Sequence, residues 1–124
     1  MTKQSRYGYT ETIARLSRAI LDGGNTIFAT IDQSAAATSV GLSLRPTSLL
    51  VFGNPRGGTP LMQAFPLVAL ELPLKLLVWE ENGSTSVGYV PIAEIAARYR
   101  VTGMDPRIAA MDGALESLVT AVAA

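Results

Sequence analysis

Residues 44–66, Leu-Arg-Pro-Thr-Ser-Leu-Leu-Val-Phe-Gly-Asn-Pro-Arg-Gly-Gly-Thr-Pro-Leu-Met-Gln-Ala-Phe-Pro, constrain the fold more than any other stretch of the chain. Thr47 to Phe52 is apolar on both faces, the pattern of a central strand covered on both sides or of one at a subunit contact. It runs into a stiff turn, Asn54-Pro55-Arg56-Gly57-Gly58-Thr59-Pro60, and then into a short helix predicted over Thr59 to Ala64. Pro60 suits the first turn of that helix and Pro66 ends it. Strand, turn and helix in so few residues call for a sheet with helices packed on it.

The flanking sequence supplies the other elements. Thr10 precedes Ile13, Leu16 and Ile20 at helical spacing, and Gly23-Gly24 stops that helix. Residues Arg6 to Tyr9 before it are predicted as a short first strand. Asn25 to Ile31 is β-branched and alternating, and Ser34 to Val40 is a small, helix-compatible run that Asp32 or Ser34 can cap. Leu74 to Glu80 and Thr85 to Val90 read as strands, and the Asn82-Gly83 step between them predicts a hairpin. Pro91 to Tyr99 and Met104 to Ala124 complete the chain as helices. The expected fold is α+β in a single domain spanning 1–124, a mainly antiparallel sheet of four to five strands covered by helices.

Composition removes whole classes of chemistry. With 124 residues the chain is the size of one domain, and ten basic against ten acidic residues leave no net field to draw it to nucleic acid or to an anionic membrane. Neither Cys nor His is present, which excludes disulfides, thiolate and Ser-His or Cys-His catalysis, and histidine or thiolate metal ligation within the chain. A general acid or base would have to be Asp, Glu, Lys or Tyr, and no metal or other cofactor is expected. Met1 to Thr10 is polar and no apolar run approaches the ~20 residues that span a bilayer, so a soluble, cytoplasmic protein is expected. At 48% hydrophobic and 16% charged residues, the chain holds more apolar surface than a small core hides, which points to a homodimer or an internal apolar cavity.

Leu44 to Met62 followed by Leu72-Pro-Leu-Lys-Leu-Leu-Val-Trp-Glu80 closely resembles the bacterial and archaeal family called domain of unknown function 302. The resemblance extends over the first helix, Phe28 to Asp32 and Tyr89 to Arg98. It implies a β-α-β(4)-α fold, grouped with the TATA-binding-protein-like and pollen-allergen-like architectures, and no established activity. Family members often carry His after the Asp that ends the second strand, where this chain has Gln33.

The candidate ligand-binding residues are Arg45, Asn54, Arg56, Gly57, Gly58, Thr59 and Gln33. A strand leading into a helix start can hold an anion on backbone N–H groups, and the two glycines would let a ligand approach the backbone while Arg56 adds charge. The same glycines equally suit a tight turn that needs left-handed backbone. Arg45 could bind a carboxylate or phosphate beside Arg56, or pair with Asp32, Glu71 or Glu80. No residue is assigned as catalytic. The leading expectation is a non-enzymatic homodimer that binds a small, partly apolar or anionic molecule near residues 45–60. The first alternative is a small enzyme using carboxylate and tyrosine chemistry, with at least two of Asp32, Glu71, Glu80 and Tyr89 in one pocket. A purely structural interaction protein is the second.

Overall fold

The computed structural model describes residues 1–124. Its centre is the antiparallel pair of β3 (Thr47–Gly53) and β4 (Leu74–Glu81), in which Ser48 faces Val78, Leu50 faces Leu76 and Phe52 faces Leu74. On one side of β3 stands β2 (Thr26–Asp32), and on the far side of β4 stand β5 (Ser84–Gly88) and β1 (Thr2–Gln4), giving the order β1-β5-β4-β3-β2. Every neighbouring pair is antiparallel. β4 and β5 join through Asn82 and Gly83, both with positive φ, which is the geometry the Asn-Gly step predicts.

Alternation then assigns the two faces. Leu50, Phe52, Leu76, Val78 and Val87 point into the core with α1 (Tyr9–Asp22), α4 (Ile92–Arg98) and α5 (Asp105–Val122), which add Leu16, Ile20, Ile95, Leu115 and Val119. Complete burial of a side chain of this size is worth about 1.5–3 kcal/mol relative to exposure. The opposite face carries Ile31, Leu49 and Leu77 in one row across three strands, with Val51 and Trp79 beside them. These four residues of β3 and β4 are half-buried, and Ile31 is 40% exposed. The Trp79 ring lies over Gly88, where a Cβ would meet it at 3.4 Å and the Met1 carbonyl at 3.3 Å, so glycine is what lets the indole lie flat.

The β-α-β(4)-α order holds, with α2 (Gln33–Ser39), α3 (Pro55–Ala64) and a 3-10 turn at Pro66–Leu70 between strands. Two boundaries differ from the sequence expectation. The first strand is Thr2–Gln4, not Arg6 to Tyr9, because the Ser5 hydroxyl accepts the Tyr7 N–H and pairs with the Thr12 hydroxyl, turning the chain into α1. The helix after β3 starts at Pro55 instead of Thr59, so the supposed turn is the first two turns of α3 and Pro60 lies inside it.

Helix α4 has no side-chain cap of its own, since Pro91 occupies the cap position. Asp112 of α5 replaces it, its two carboxylate oxygens accepting the N–H groups of Ile92 at 2.6 Å and Ala93 at 3.0 Å. Asp112→Ala should therefore cost about 1–2 kcal/mol of stability, a range typical of lost helix caps. Urea unfolding followed by circular dichroism checks this, and an unchanged midpoint contradicts the capping role.

Candidate functional site

Where β3 stops at Gly53 and β4 starts at Leu74, the helices do not close over the end of the sheet. A cleft of about 700 Å³ remains between the first turns of α3 and the N-terminal half of α5. Phe28, Met62, Leu72, Met104 and Met111 provide most of its apolar wall, and Asn54, Gly57, Gly58 and Thr59 form its α3 side. The volume falls within the range of small-molecule sites, and methionine side chains adapt to irregular apolar shapes. Phe28 is 53% exposed at its edge, next to the irregularity in the β2–β3 register at Ile27/Ala29.

Neither Gly57 nor Gly58 has a positive φ; the glycines that do are Gly24, Gly41, Gly83 and Gly103. The left-handed turn expected for them is therefore not their role. A Cβ on Gly57 would meet nothing within 4 Å, and one on Gly58 would sit in ordinary contact with Met62 and Leu72, 3.8 and 3.9 Å away. Helical glycine costs about 1 kcal/mol relative to alanine, and neither backbone angle nor protein contact explains two of them here. Their missing side chains leave space in the cleft.

The backbone donors at the start of α3 are already engaged. Asn54 Oδ1 accepts the Arg56 N–H at 3.0 Å, and the Asn54 carbonyl accepts from Gly57 at 2.9 Å and Gly58 at 3.1 Å. Pro55 has no N–H to offer. Polar recognition in the cleft thus falls to side chains, and the sole charged residue in the lining is Arg107 of α5, which the sequence reading did not single out. Its Nη1 donates to the carbonyls of Arg56 and Gly57, both at 3.4 Å. The Arg56 carbonyl is free for this because its helical donor would be residue 60, and Pro60 has none. That i to i+4 relation between Arg56 and Pro60 was the available signal, but it does not reveal which cation answers it.

Asn54, Gly57, Gly58 and Thr59 line the cleft, whereas Arg45, Arg56 and Gln33 do not. Arg45 precedes β3 and Arg56 follows it, so the seven-residue strand holds them roughly 20 Å apart, and Arg45 lies 4.0 Å from Glu81 in an exposed ion pair. Gln33 is the exposed first residue of α2, also at the far end of the sheet. Asp32 before it is the cap, accepting from Ser34 Oγ at 2.6 Å and the Ala35 N–H at 2.9 Å. Those bonds, the Ser34 hydroxyl foremost, hold its carboxyl below the usual carboxylate range.

The acid–base candidates divide differently. Glu71 and Tyr89 line a second, smaller hollow of about 350 Å³, which Asp32 and Glu80 do not reach. Glu71 Oε1 is held there by the Tyr99 hydroxyl at 2.9 Å and Arg98 Nη1 at 3.3 Å, and the hydrogen bond to Glu71 is the main reason the Tyr99 hydroxyl titrates above its ordinary range. Tyr89 is pushed up as well, by burial first and by Glu116 and Asp112 next, which keeps the phenol protonated and makes it a weaker acid. Lys75 Nζ donates to the Glu71 and Pro73 carbonyls at 2.8 and 3.1 Å. Glu71 and Tyr89 thus share one hollow, as the acid–base alternative expects, while Glu71 and Lys75 are engaged by neighbouring groups and tie the chain together around residues 71–75.

Comparison with known proteins matches this geometry to a family. A crystal structure described as an uncharacterized conserved protein DUF302 from Bacillus stearothermophilus superposes with a TM-score of 0.91 over 98% of this chain and 96% of that one, at 23% identity, a likeness of fold. Curated relatives from Brucella suis biovar 1 (strain 1330) and Brucella abortus biovar 1 (strain 9-941), both named Fluoride-specific ion channel FluC 1, are 41% identical over 82 residues, or 66% of this chain. The matched segment spans only about a third of those relatives, 32% and 30% of their lengths. No helix of the present chain is long and apolar enough to cross a membrane. The model of the family described as Domain of unknown function DUF302 matches residues 1–122, and the chain belongs to that family.

Proposed function

We propose that the chain is a non-enzymatic module that binds a small, partly apolar molecule in the cleft between α3 and α5 and works as a homodimer. The cytoplasmic setting expected from the sequence is part of that reading. The observation that carries it is the pair of helical glycines, which keep the α3 wall of a 700 Å³ apolar cleft bare where alanine would fit and strengthen the helix. The channel named in the Brucella relatives gives no competing assignment, because the shared segment is a minor part of those chains.

The dimer part rests on the second face of the sheet. Leu49, Val51, Leu77 and Trp79 are half-buried there with Ile31 more exposed, and the one lysine among them, Lys75, turns its ammonium onto backbone carbonyls. The carboxylates at its rim are paired, Glu81 with Arg45 and Glu71 with Arg98, so this largely apolar face can meet its own copy around a twofold axis with little like-charge repulsion, and a second copy is the occupant we assign to it.

Three outcomes are expected. Nile red, an uncharged solvatochromic dye, should bind the wild type with a blue shift, and Ala114→Trp, which fills part of the cleft, should weaken binding about tenfold or more, equivalent to 1.4 kcal/mol. No dye binding, or binding unchanged by the tryptophan, removes the ligand reading. Gly57→Ala and Gly58→Ala should each stabilise the fold by about 0.5–1 kcal/mol in urea unfolding while reducing dye affinity; destabilisation would mean that the glycines serve the backbone after all. Sedimentation equilibrium at micromolar concentration should give twice the mass of one chain, falling to a single mass in Leu77→Arg, whereas a monomeric wild type ends the dimer assignment.

A further inference from the structure

We infer that the molecule bound in the α3–α5 cleft is an organic acid with an apolar body and a single negative charge, whose carboxylate is read by Arg107. The inference rests on the cleft being a ligand site, and it adds the class of ligand and the residue that selects it.

Charge bookkeeping inside the cleft leads there. The lining consists of apolar, glycyl and neutral polar residues with one exception, the Arg107 guanidinium. Each of the four ion pairs in the protein uses another basic residue, namely Arg15, Arg18, Arg45 or Arg98, so Arg107 has no carboxylate partner. It is half-buried, and its two hydrogen bonds leave from the same nitrogen, Nη1, to carbonyls at 3.4 Å, near the limit of useful length. The Nε and Nη2 donors make no bond to protein. Those donors form the fork that matches a two-oxygen anion.

The remaining features limit the ligand. The Arg56 and Gly57 carbonyls hold the Nη1 corner of the guanidinium beside α3, which leaves the charged group in the cleft before a ligand arrives. A dianion such as a phosphate monoester would bring a second negative charge into an apolar cleft that has one cation, and the unpaired charge would cost more than it gained. A ligand with no hydrogen-bond acceptor would cover the guanidinium donors and leave them without partners. The Phe28, Met62, Leu72 and Met104 wall suits a hydrocarbon chain or aromatic ring attached to the acid group.

Displacement of Nile red by decanoate and by decan-1-ol at pH 7.5 tests this, in wild type, Arg107→Met and Arg107→Lys, with far-ultraviolet circular dichroism confirming that each is folded. Decanoate should compete at about tenfold lower concentration than decanol in wild type, the scale of one charge-assisted hydrogen-bonded pair. The preference should vanish in Arg107→Met and survive in part in Arg107→Lys. Equal competition by acid and alcohol in wild type, or an acid preference that persists in Arg107→Met, overturns the inference while leaving the cleft a binding site. A dye that neither competitor displaces overturns the cleft reading and this inference with it.

Discussion

The pairing of β3 with β4 is the constraint on which the other elements depend. Because both strands are apolar on both faces, a shift of one residue in their register would exchange Leu50 and Phe52 with Leu49 and Val51, or Leu76 and Val78 with Leu77 and Trp79, according to which strand slips. The core-facing set is buried under α1 and α5 and contains Phe52, the bulkiest of the fully buried side chains. The other is partly open, and Trp79 fits it through the bare surface of Gly88. Shape more than polarity therefore specifies the register, since both sets are apolar. Tyr9 reinforces it with a polar pin, its hydroxyl bonded to Ser48 Oγ at 2.6 Å from the first turn of α1.

That register also decides where the cleft falls. β3 delivers Gly53 and Asn54 at one end of the sheet, and β4 returns through Pro73 and Leu74 at the same end, so α3 and the turn at Pro66–Leu70 must fold back between them. A helix made of Pro55, two glycines and an internal Pro60 is poor by intrinsic propensity. It is sustained by the Asn54 cap at one end and by Leu61 and Val68 packed in the core at the other, with Arg107 taking the carbonyl that Pro60 orphans. Local stability has been exchanged for an open, smooth wall, and the exchange is confined to the part of α3 that faces the cleft.

The fold was largely legible because it is written in periodicities. Alternation in β2, β3 and β4, the Asn82-Gly83 hairpin and the helical spacing of Leu16 with Ile20 each follow from one local rule, and the structure has them where those rules put them. The first strand was misplaced because Thr2–Gln4 is a polar edge strand whose partner, β5, lies more than eighty residues away, and no local pattern encodes that pairing. The start of α3 was misplaced because glycine and proline are read as turn residues, although Pro at the first helical position and Asn before it are themselves helix-start signals. Of the candidate site, the segment Asn54 to Thr59 was visible as an anomaly of composition. Arg107 was not, since its importance comes from a tertiary approach of α5 to α3 across 50 residues of chain.

The comparisons bear on which of these features belongs to the fold and which to this chain. A structure with 23% identity keeps the same architecture at a TM-score of 0.91, so most side chains are free to differ while the sheet order and helix placement persist. What such a fold requires is a pattern of apolar positions, and that pattern is satisfied by the buried set of β3, β4, α1 and α5, of which Leu74 and Met111 also border the cleft. Gly57, Gly58 and Arg107 lie outside it: two of them weaken a helix and the third holds a charge in an apolar recess without an acidic partner. The two glycines cost helix stability with no packing return, and the weak contacts of Arg107 to α3 use only one of its nitrogens, so a folding requirement alone does not account for the three. In this chain they converge on one 700 Å³ space, and a bound molecule with an apolar body and an acid group would satisfy all three together.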